Sequence, residues 1–271
     1  MSARSTLAAA VAAVVVAALA LTGASPAFAA KGPGKPGGGS SELAYVALGD
    51  SFAAGQGGGS YLDTSCYRSR NSYPQRLDAT AKLKLTAFPA CAGASTVETL
   101  ASQVPAIPAG TQRVSLTIGG NDVGFASVMQ NCFVFVSTTS CESRLATAET
   151  MVGDGTIHNR VASLVQAIRA KVGAQAKIVV AGYPQLFQLP SRYAYAARVN
   201  ADTSALNDQV EAAAVANGAT FVDVEAAFAG HGIGSSTPWI NAFSIFNTTA
   251  AFHPNSTGYA NYATLLGPAL G

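Results

Sequence analysis

Leu43-Ala44-Tyr45-Val46-Ala47-Leu48 runs directly into Gly49-Asp50-Ser51-Phe52-Ala53-Ala54-Gly55. The first six residues are apolar without alternation, the pattern of a strand buried on both faces. The glycines and small polar residues that follow mark an abrupt turn at its carboxyl end. Four later segments share the strand character: residues 83–88, 114–118, 178–181 and 220–224. Helical patterns lie between them. Ile157, Val161, Leu164, Val165, Ile168 and Val172 form one apolar stripe at helical spacing. Residues 193–215 read as a long Ala-rich helix stopped by Asn217-Gly218, and Asn255-Ser256-Thr257 opens a last helix through Tyr259 and Leu265. Such alternation with right-handed crossovers predicts an α/β fold, a five-stranded parallel sheet covered on both faces. Ligands of such sheets bind beyond the carboxyl ends of the strands.

Ahead of this domain, Arg4 precedes an apolar run from Leu7 to Leu21, and Ala27-Phe28-Ala29 offers a small-residue cleavage site. These are the parts of a secretory signal peptide over residues 1–29, cleaved near Ala29. The run is short for a membrane anchor. No twin-arginine pair is present, so general secretion is the expected route. Residues 30–41, Gly- and Pro-rich, read as a linker that cannot pack a core. Residues 42–271 then form one domain, expected outside the cell.

The 271 residues carry 16 Lys and Arg against 14 Asp and Glu, a net charge of +2 that falls to +1 once Arg4 leaves with the signal peptide. That balance argues against nucleic acid as a partner, and the 49% apolar composition argues against disorder. Nothing calls for an obligatory protein partner, and a monomer is expected. Three histidines, His158, His231 and His253, are too few for a His-rich metal site. His158 and His231 have the surroundings of solvated surface residues. In an oxidising compartment the four cysteines should pair. Of the three connectivities, Cys66–Cys91 with Cys132–Cys141 closes two separate loops and is preferred. No C-x-x-C pair supports zinc, and neither metal nor cofactor is expected.

Ser51 follows the first strand, where a serine serves as a helix cap, a phosphate ligand or a nucleophile. The glycine-rich run 55–60 lacks the Lys-Ser/Thr ending of a P-loop, and no G-x-S-x-G elbow surrounds Ser51. The third strand ends in Gly119-Gly120-Asn121-Asp122, which puts a carboxamide at the same sheet edge. Alone, Asn121 is turn material; beside a nucleophile it is an oxyanion donor. After the second strand, Gly93 can offer a backbone N–H with no side chain in the way. His253 is held by Pro254 just before the last helix.

Taken in order, Ser51, Gly93, Asn121 and His253 resemble the signature of the GDSL, or SGNH, hydrolase superfamily, above all its secreted actinobacterial lipases, esterases and phospholipases. The resemblance spans the chain from Tyr45 to the C-terminus. It implies a flavodoxin-like three-layer α/β/α fold and a serine ester hydrolase acting on carboxylic, lipid acyl, esters. Ser51 would be the nucleophile and His253 the base. The N–H groups of Ser51 and Gly93 with the Asn121 side chain would form the oxyanion hole. Carbohydrate deacetylases of the same superfamily are an alternative, and a non-catalytic secreted binding module is one of another class.

One departure is the missing acid. The family usually places Asp three residues before the histidine; here that position is Ala250, and no carboxylate lies between Glu225 and His253. The resemblance therefore implies a Ser–His dyad, with the carbonyl of Ala250 or Ala251 accepting the imidazole Nδ1–H. A second departure is a missing third disulfide, which in relatives tethers the histidine loop. For the substrate site, the Cys132–Cys141 segment and Trp239, Ile240, Phe243, Ile245 and Phe246 are candidate walls of an acyl groove or, alternatively, core.

Overall fold

The computed structural model describes residues 42–80 and 82–271. The signal-peptide and linker segments lie outside these residues. Among the described residues no helix is long and apolar enough to cross a membrane.

Five strands follow the apolar segments: β1 (Leu43–Gly49), β2 (Leu83–Ala87), β3 (Arg113–Thr117), β4 (Lys177–Ala181) and β5 (Thr220–Val222). They form one parallel sheet in the order β2-β1-β3-β4-β5. The first crossover, carrying α1 (Ser51–Ala54) and α2 (Tyr73–Asp78), runs outward from β1 to β2. Every later crossover runs the other way, so right-handedness puts its helices on the opposite face. These are α3 (Thr96–Glu98) with its π-helical extension Thr99–Gln103, α4 (Phe125–Met129) with its extension Gln130–Val134, α5 (Thr138–Gly153), α6 (Thr156–Val172) and α7 (Ala196–Ala216). A short α8 (Glu225–Phe228) follows β5, and α9 (Ser256–Leu270) returns to pack on α2, β3, β4 and β5. The result is three layers, helices over both faces of a parallel sheet. The connections run outward in opposite directions from β1 and β3, so the ligand-binding crevice of such a sheet falls between those two strands.

Tyr45, Val46, Ala47 and Leu48 of β1 are fully buried, as a central strand covered on both faces requires. The α6 stripe Ile157, Val161, Leu164, Val165 and Ile168 is likewise buried, whereas Val172 is only partly so.

Some boundaries differ from the sequence reading. β5 stops at Val222 because Asp223 accepts the backbone N–H of Glu225 at 2.8 Å and turns the chain. α7 starts at Ala196 rather than at 193, since Tyr193 sits in a turn closed by the Ser191 hydroxyl at 3.2 Å. α9 continues to Leu270, past a proline at 268. The largest difference is α5. Only Cys141, Leu145 and Ala148 of its 16 residues are buried, so its sequence shows no strong stripe.

Both disulfides are present as expected. Cys66–Cys91 has a Cα separation of 4.3 Å, and Cys132–Cys141 one of 4.9 Å. The Cys132–Cys141 segment is not an extended loop. Cys132 lies in the extension of α4 and Cys141 in the first turn of α5, which Ser137 caps.

Candidate active site

Ser51 begins the short turn α1 directly after β1. Asp50 caps that turn by accepting the backbone N–H of Phe52 at 3.0 Å. Gly49 makes the approach of β1 to β3 possible. Its φ is +120°, and a Cβ there would lie 2.2 Å from the Thr117 carbonyl oxygen. The Gln103 side chain brackets Gly49, accepting its N–H at 2.7 Å and donating to its carbonyl at 2.9 Å.

Asp50 also reaches across the sheet. It accepts the Thr117 hydroxyl at 2.9 Å and the Tyr183 hydroxyl, and Tyr183 in turn accepts the N–H of Gly120 at 3.1 Å. One carboxyl thus joins the ends of β1 and β3 to the segment after β4. Burial pushes that carboxyl up to about 6, against the hydrogen bonds from Tyr183, Thr117 and the backbone.

The loop after β2 is fixed onto the end of β1. Ala90 and Cys91 donate to the carbonyls of Ala47 and Gly49 at 3.3 and 3.0 Å, and the disulfide to Cys66 adds a covalent brace. Gly93 has a φ of +85° and open space where a side chain would project. Asp122 binds this loop to the end of β3. Its buried carboxylate accepts the Thr96 N–H at 2.9 Å and hydroxyl at 2.6 Å, and pairs with Arg160 at 3.1 Å. Asn121 donates one amide hydrogen to the Ala94 carbonyl at 3.0 Å. The second hydrogen of that NH₂ remains for a ligand.

His253 comes from the opposite end of the chain. Its loop is pinned at the stem. Asn241 donates from its backbone to the His253 carbonyl at 2.9 Å, and Phe252 donates to the Asn241 carbonyl at 2.8 Å. Gln56 donates to the Thr249 carbonyl at 2.7 Å. Hydrogen bonds alone hold the stem of this loop. The imidazole is buried, and its Nε2 lies 2.8 Å from Ser51 Oγ. Its Nδ1 lies 2.8 Å from the Ala251 carbonyl oxygen. A carbonyl only accepts, so Nδ1 carries the proton and Nε2 presents a lone pair to the serine hydroxyl. Of the two candidate carbonyls, that of Ala250 instead accepts the backbone N–H of His253 at 3.2 Å. Asp223 and Glu225 do not reach the ring. Glu225 is taken up by Ser204 and Asn207 at 2.7 and 2.6 Å. Burial pulls the His253 imidazole down to about 4, and the Ala251 hydrogen bond only partly opposes this.

A cavity of about 320 Å³ opens from Ser51 and Asn121 between α4, α5 and α7. Val128, Met129, Leu145, Val152, Val199 and Leu206 give it an apolar wall. The wall therefore comes from the helices flanking the second disulfide, not from residues 133–140 between its cysteines. None of Trp239, Ile240, Phe243, Ile245 and Phe246 lines it. Ile240 is core, Trp239 stacks on His231 at 3.7 Å, and Ile245 and Phe246 are exposed. His231 is accordingly half-buried against an indole rather than freely solvated, and it also meets the Thr237 carbonyl at 2.7 Å. Among the described residues, no three His, Cys, Asp or Glu side chains cluster as metal ligands.

Sequence reasoning singled out Ser51, Gly93, Asn121 and His253; the fold puts Ser51 against His253, sets Ser51 and Asn121 on one cavity, and holds the loop of Gly93 to Gly49 and to Asn121. It passed over Asp50, Asp122, Gln103 and Tyr183. Asp50 and Asp122 adjoin Ser51 and Asn121, and an acid beside a functional residue at a buried strand end was the available signal.

A hydroxyl hydrogen-bonded to an imidazole beside an apolar cavity, at the switch point of a parallel sheet, is an arrangement that suits a serine hydrolase. The model of the GDSL-like Lipase/Acylhydrolase family matches residues 47–260, and the chain belongs to that family. It is 37% identical to Lipase 1 of Streptomyces coelicolor over 90% of either chain. It is 36% identical to a lipase of Streptomyces rimosus over 79% of this chain and 81% of that one. Two solved structures are similar in shape and sequence. The extracellular lipase of Streptomyces rimosus superimposes with a TM-score of 0.77 at 34% identity, covering 84% of this chain and 99% of that one. Phospholipase A1 of Streptomyces albidoflavus does so with a TM-score of 0.76 at 33% identity, with the same coverage.

Proposed function

We propose that this chain is a secreted serine esterase that cleaves lipid acyl esters through an acyl-enzyme on Ser51. The observation that carries the reading is the 2.8 Å contact between Ser51 Oγ and a His253 Nε2 left unprotonated by the Ala251 carbonyl. Ser51 Oγ attacks the ester carbonyl carbon while its proton passes to Nε2. The developing oxyanion is held by the backbone N–H groups of Ser51 and Gly93 and by the free amide hydrogen of Asn121. Collapse expels the alcohol, which takes the proton from His253. Water then repeats the sequence on the acyl-enzyme, with His253 again as base. The Ala251 carbonyl orients the ring and faces its positive charge, the task an Asp performs in a triad. The apolar cavity supports an acyl chain as the group carried by Ser51. The similarity to an extracellular lipase supports residues 1–29 as a signal peptide, 30–41 as a linker and 42–271 as the enzyme domain.

The test is a series of p-nitrophenyl esters of increasing acyl length, beside phospholipid and triacylglycerol, with a serine-directed organophosphonate as inhibitor. Medium-length acyl esters should be cleaved faster than the acetate, and mass spectrometry should find the phosphonate on Ser51. Preference for acetate would favour a deacetylase, and no hydrolysis with no label would refute the enzyme mechanism.

The burial of His253 gives a pH prediction. The base acts neutral, and its depressed value keeps it neutral down to about 4. Activity is therefore present above that value and lost as pH falls through it. The acid limb of kcat/KM should lie well below the ordinary histidine range, because kcat/KM reports the free enzyme. A limb near the ordinary histidine value that persists in Asp50→Asn would contradict this.

A further inference from the structure

Three segments meet at one cluster of rings beside the site. Phe133 lies 4.6 Å from Phe187 and 5.9 Å from Phe252, centroid to centroid, and Phe187 lies 6.4 Å from Phe252. All three rings are buried, and Phe252 adjoins His253 in sequence. From each segment the chain continues to exposed apolar side chains. Beyond Phe133 come Phe135 and Val136, which are 72% and 66% exposed. Beyond Phe187 comes Leu189, 43% exposed. The third segment is the loop whose stem is the Asn241 pairing with Phe252 and His253. It carries Ile245 and Phe246, 74% and 93% exposed. Nine large apolar side chains are exposed among the described residues, and these five include the three most exposed of all. Independent surface scatter does not concentrate the extremes on three segments sharing one ring cluster. Large exposed apolar surface marks an interaction site, and the shared ring cluster draws these three segments together.

We propose that Phe135, Val136, Leu189, Ile245 and Phe246 form a docking rim that seats the enzyme on the surface of a lipid aggregate. The inference rests on the lipid acyl ester reading above. Such a substrate sits in an aggregate, and its acyl chain must pass from there to Ser51. A rim on the loop that carries His253 and just beyond the extension of α4, whose Val128 and Met129 wall the cavity, keeps that path apolar. Lys and Arg exceed Asp and Glu by only two over the whole chain, so the seat relies on apolar insertion and an uncharged or zwitterionic surface suffices.

Vesicles of ether-linked phosphatidylcholine test this, because no ester is present to be cleaved. The purified protein should float with the vesicles, and so should Ser51→Ala. The double variant Phe135→Ser with Phe246→Ser should bind at least tenfold more weakly, yet hydrolyse p-nitrophenyl butyrate in solution at an unchanged rate. In Phe246→Trp, vesicles should shift the added indole emission to the blue relative to Trp239 alone. Equal flotation of the double variant, no flotation of the parent, or no shift of the added indole would overturn the proposal. A dimer in sedimentation that the double variant abolishes would assign the rim to a second copy and overturn it too. Flotation without ester hydrolysis would instead remove the enzymatic reading, so the two failures are distinct.

Discussion

Ser51→Ala is expected to lower kcat by on the order of a million-fold, the loss seen when a serine hydrolase is deprived of its nucleophile. The expectation follows from geometry. Among the described residues no other hydroxyl is hydrogen-bonded to the His253 ring, whose Nε2 contacts Ser51 Oγ at 2.8 Å. His253→Ala should lose nearly as much, because nucleophile and base act as one unit and their losses do not add. The informative comparison is with the acids. Asp223→Ala and Glu225→Gln should leave kcat within a few-fold, since Glu225 is bound to Ser204 and Asn207 and Asp223 to the backbone of Glu225. Steady-state kinetics on a soluble ester, with circular dichroism to establish folding, decides it. An acid variant as inactive as His253→Ala would show that a carboxylate serves the imidazole and that the Ala251 carbonyl does not.

Asn121→Ala is expected to cost about 10²–10³ in kcat, roughly 2.7–4 kcal/mol of barrier, with little change in KM. In the proposed oxyanion hole the amide acts on charge that develops only in the transition state, so removing it should spare ground-state binding. Asn121 also donates to the Ala94 carbonyl at 3.0 Å, and its loss frees the loop that presents Gly93. Asn121→Asp separates the two effects. It keeps the size of the side chain but aims negative charge at the oxyanion, and it should be at least as inactive as Asn121→Ala. If Asn121→Ala retained kcat within a few-fold, Asn121 would be a turn residue and the oxyanion hole would consist of backbone alone.

The strand segments and the residues of the proposed site were legible in the sequence for a physical reason. Central parallel strands are apolar on both faces, and reactive groups sit where such runs break. Ser51, Gly93 and Asn121 follow such breaks after β1, β2 and β3, whereas His253 lies far beyond β5 and was marked by its place beside Pro254 before α9. Asp50 and Asp122 were less legible because their roles lie in what they reach: Thr117 and Tyr183 for one, Thr96 and Arg160 for the other. Those partners are distant in sequence, and no local pattern announces them. α5 escaped notice because it is largely polar and buries only three side chains. Ile245 and Phe246 were read as pocket or core from their apolarity, yet they lie on an exposed loop. Apolarity tells where a side chain is unstable in water, not which surface relieves it.

The span between nucleophile and base has a consequence of its own. Ser51 and His253 are 202 residues apart. α9, just beyond the histidine, is fastened by hydrogen bonds from Tyr259 to the Gln56 carbonyl at 2.7 Å and from Tyr262 to the Gly182 carbonyl at 2.9 Å. Arg76 of α2 reaches its first residue, Ser256, at 2.7 Å. Turnover is therefore a gauge of completeness: the circuit closes only when the first strand and the last helix are both seated. A fragment that ends before residue 253 keeps its serine and has no engine, and nicking or heating that lifts α9 should silence the enzyme outright instead of dimming it.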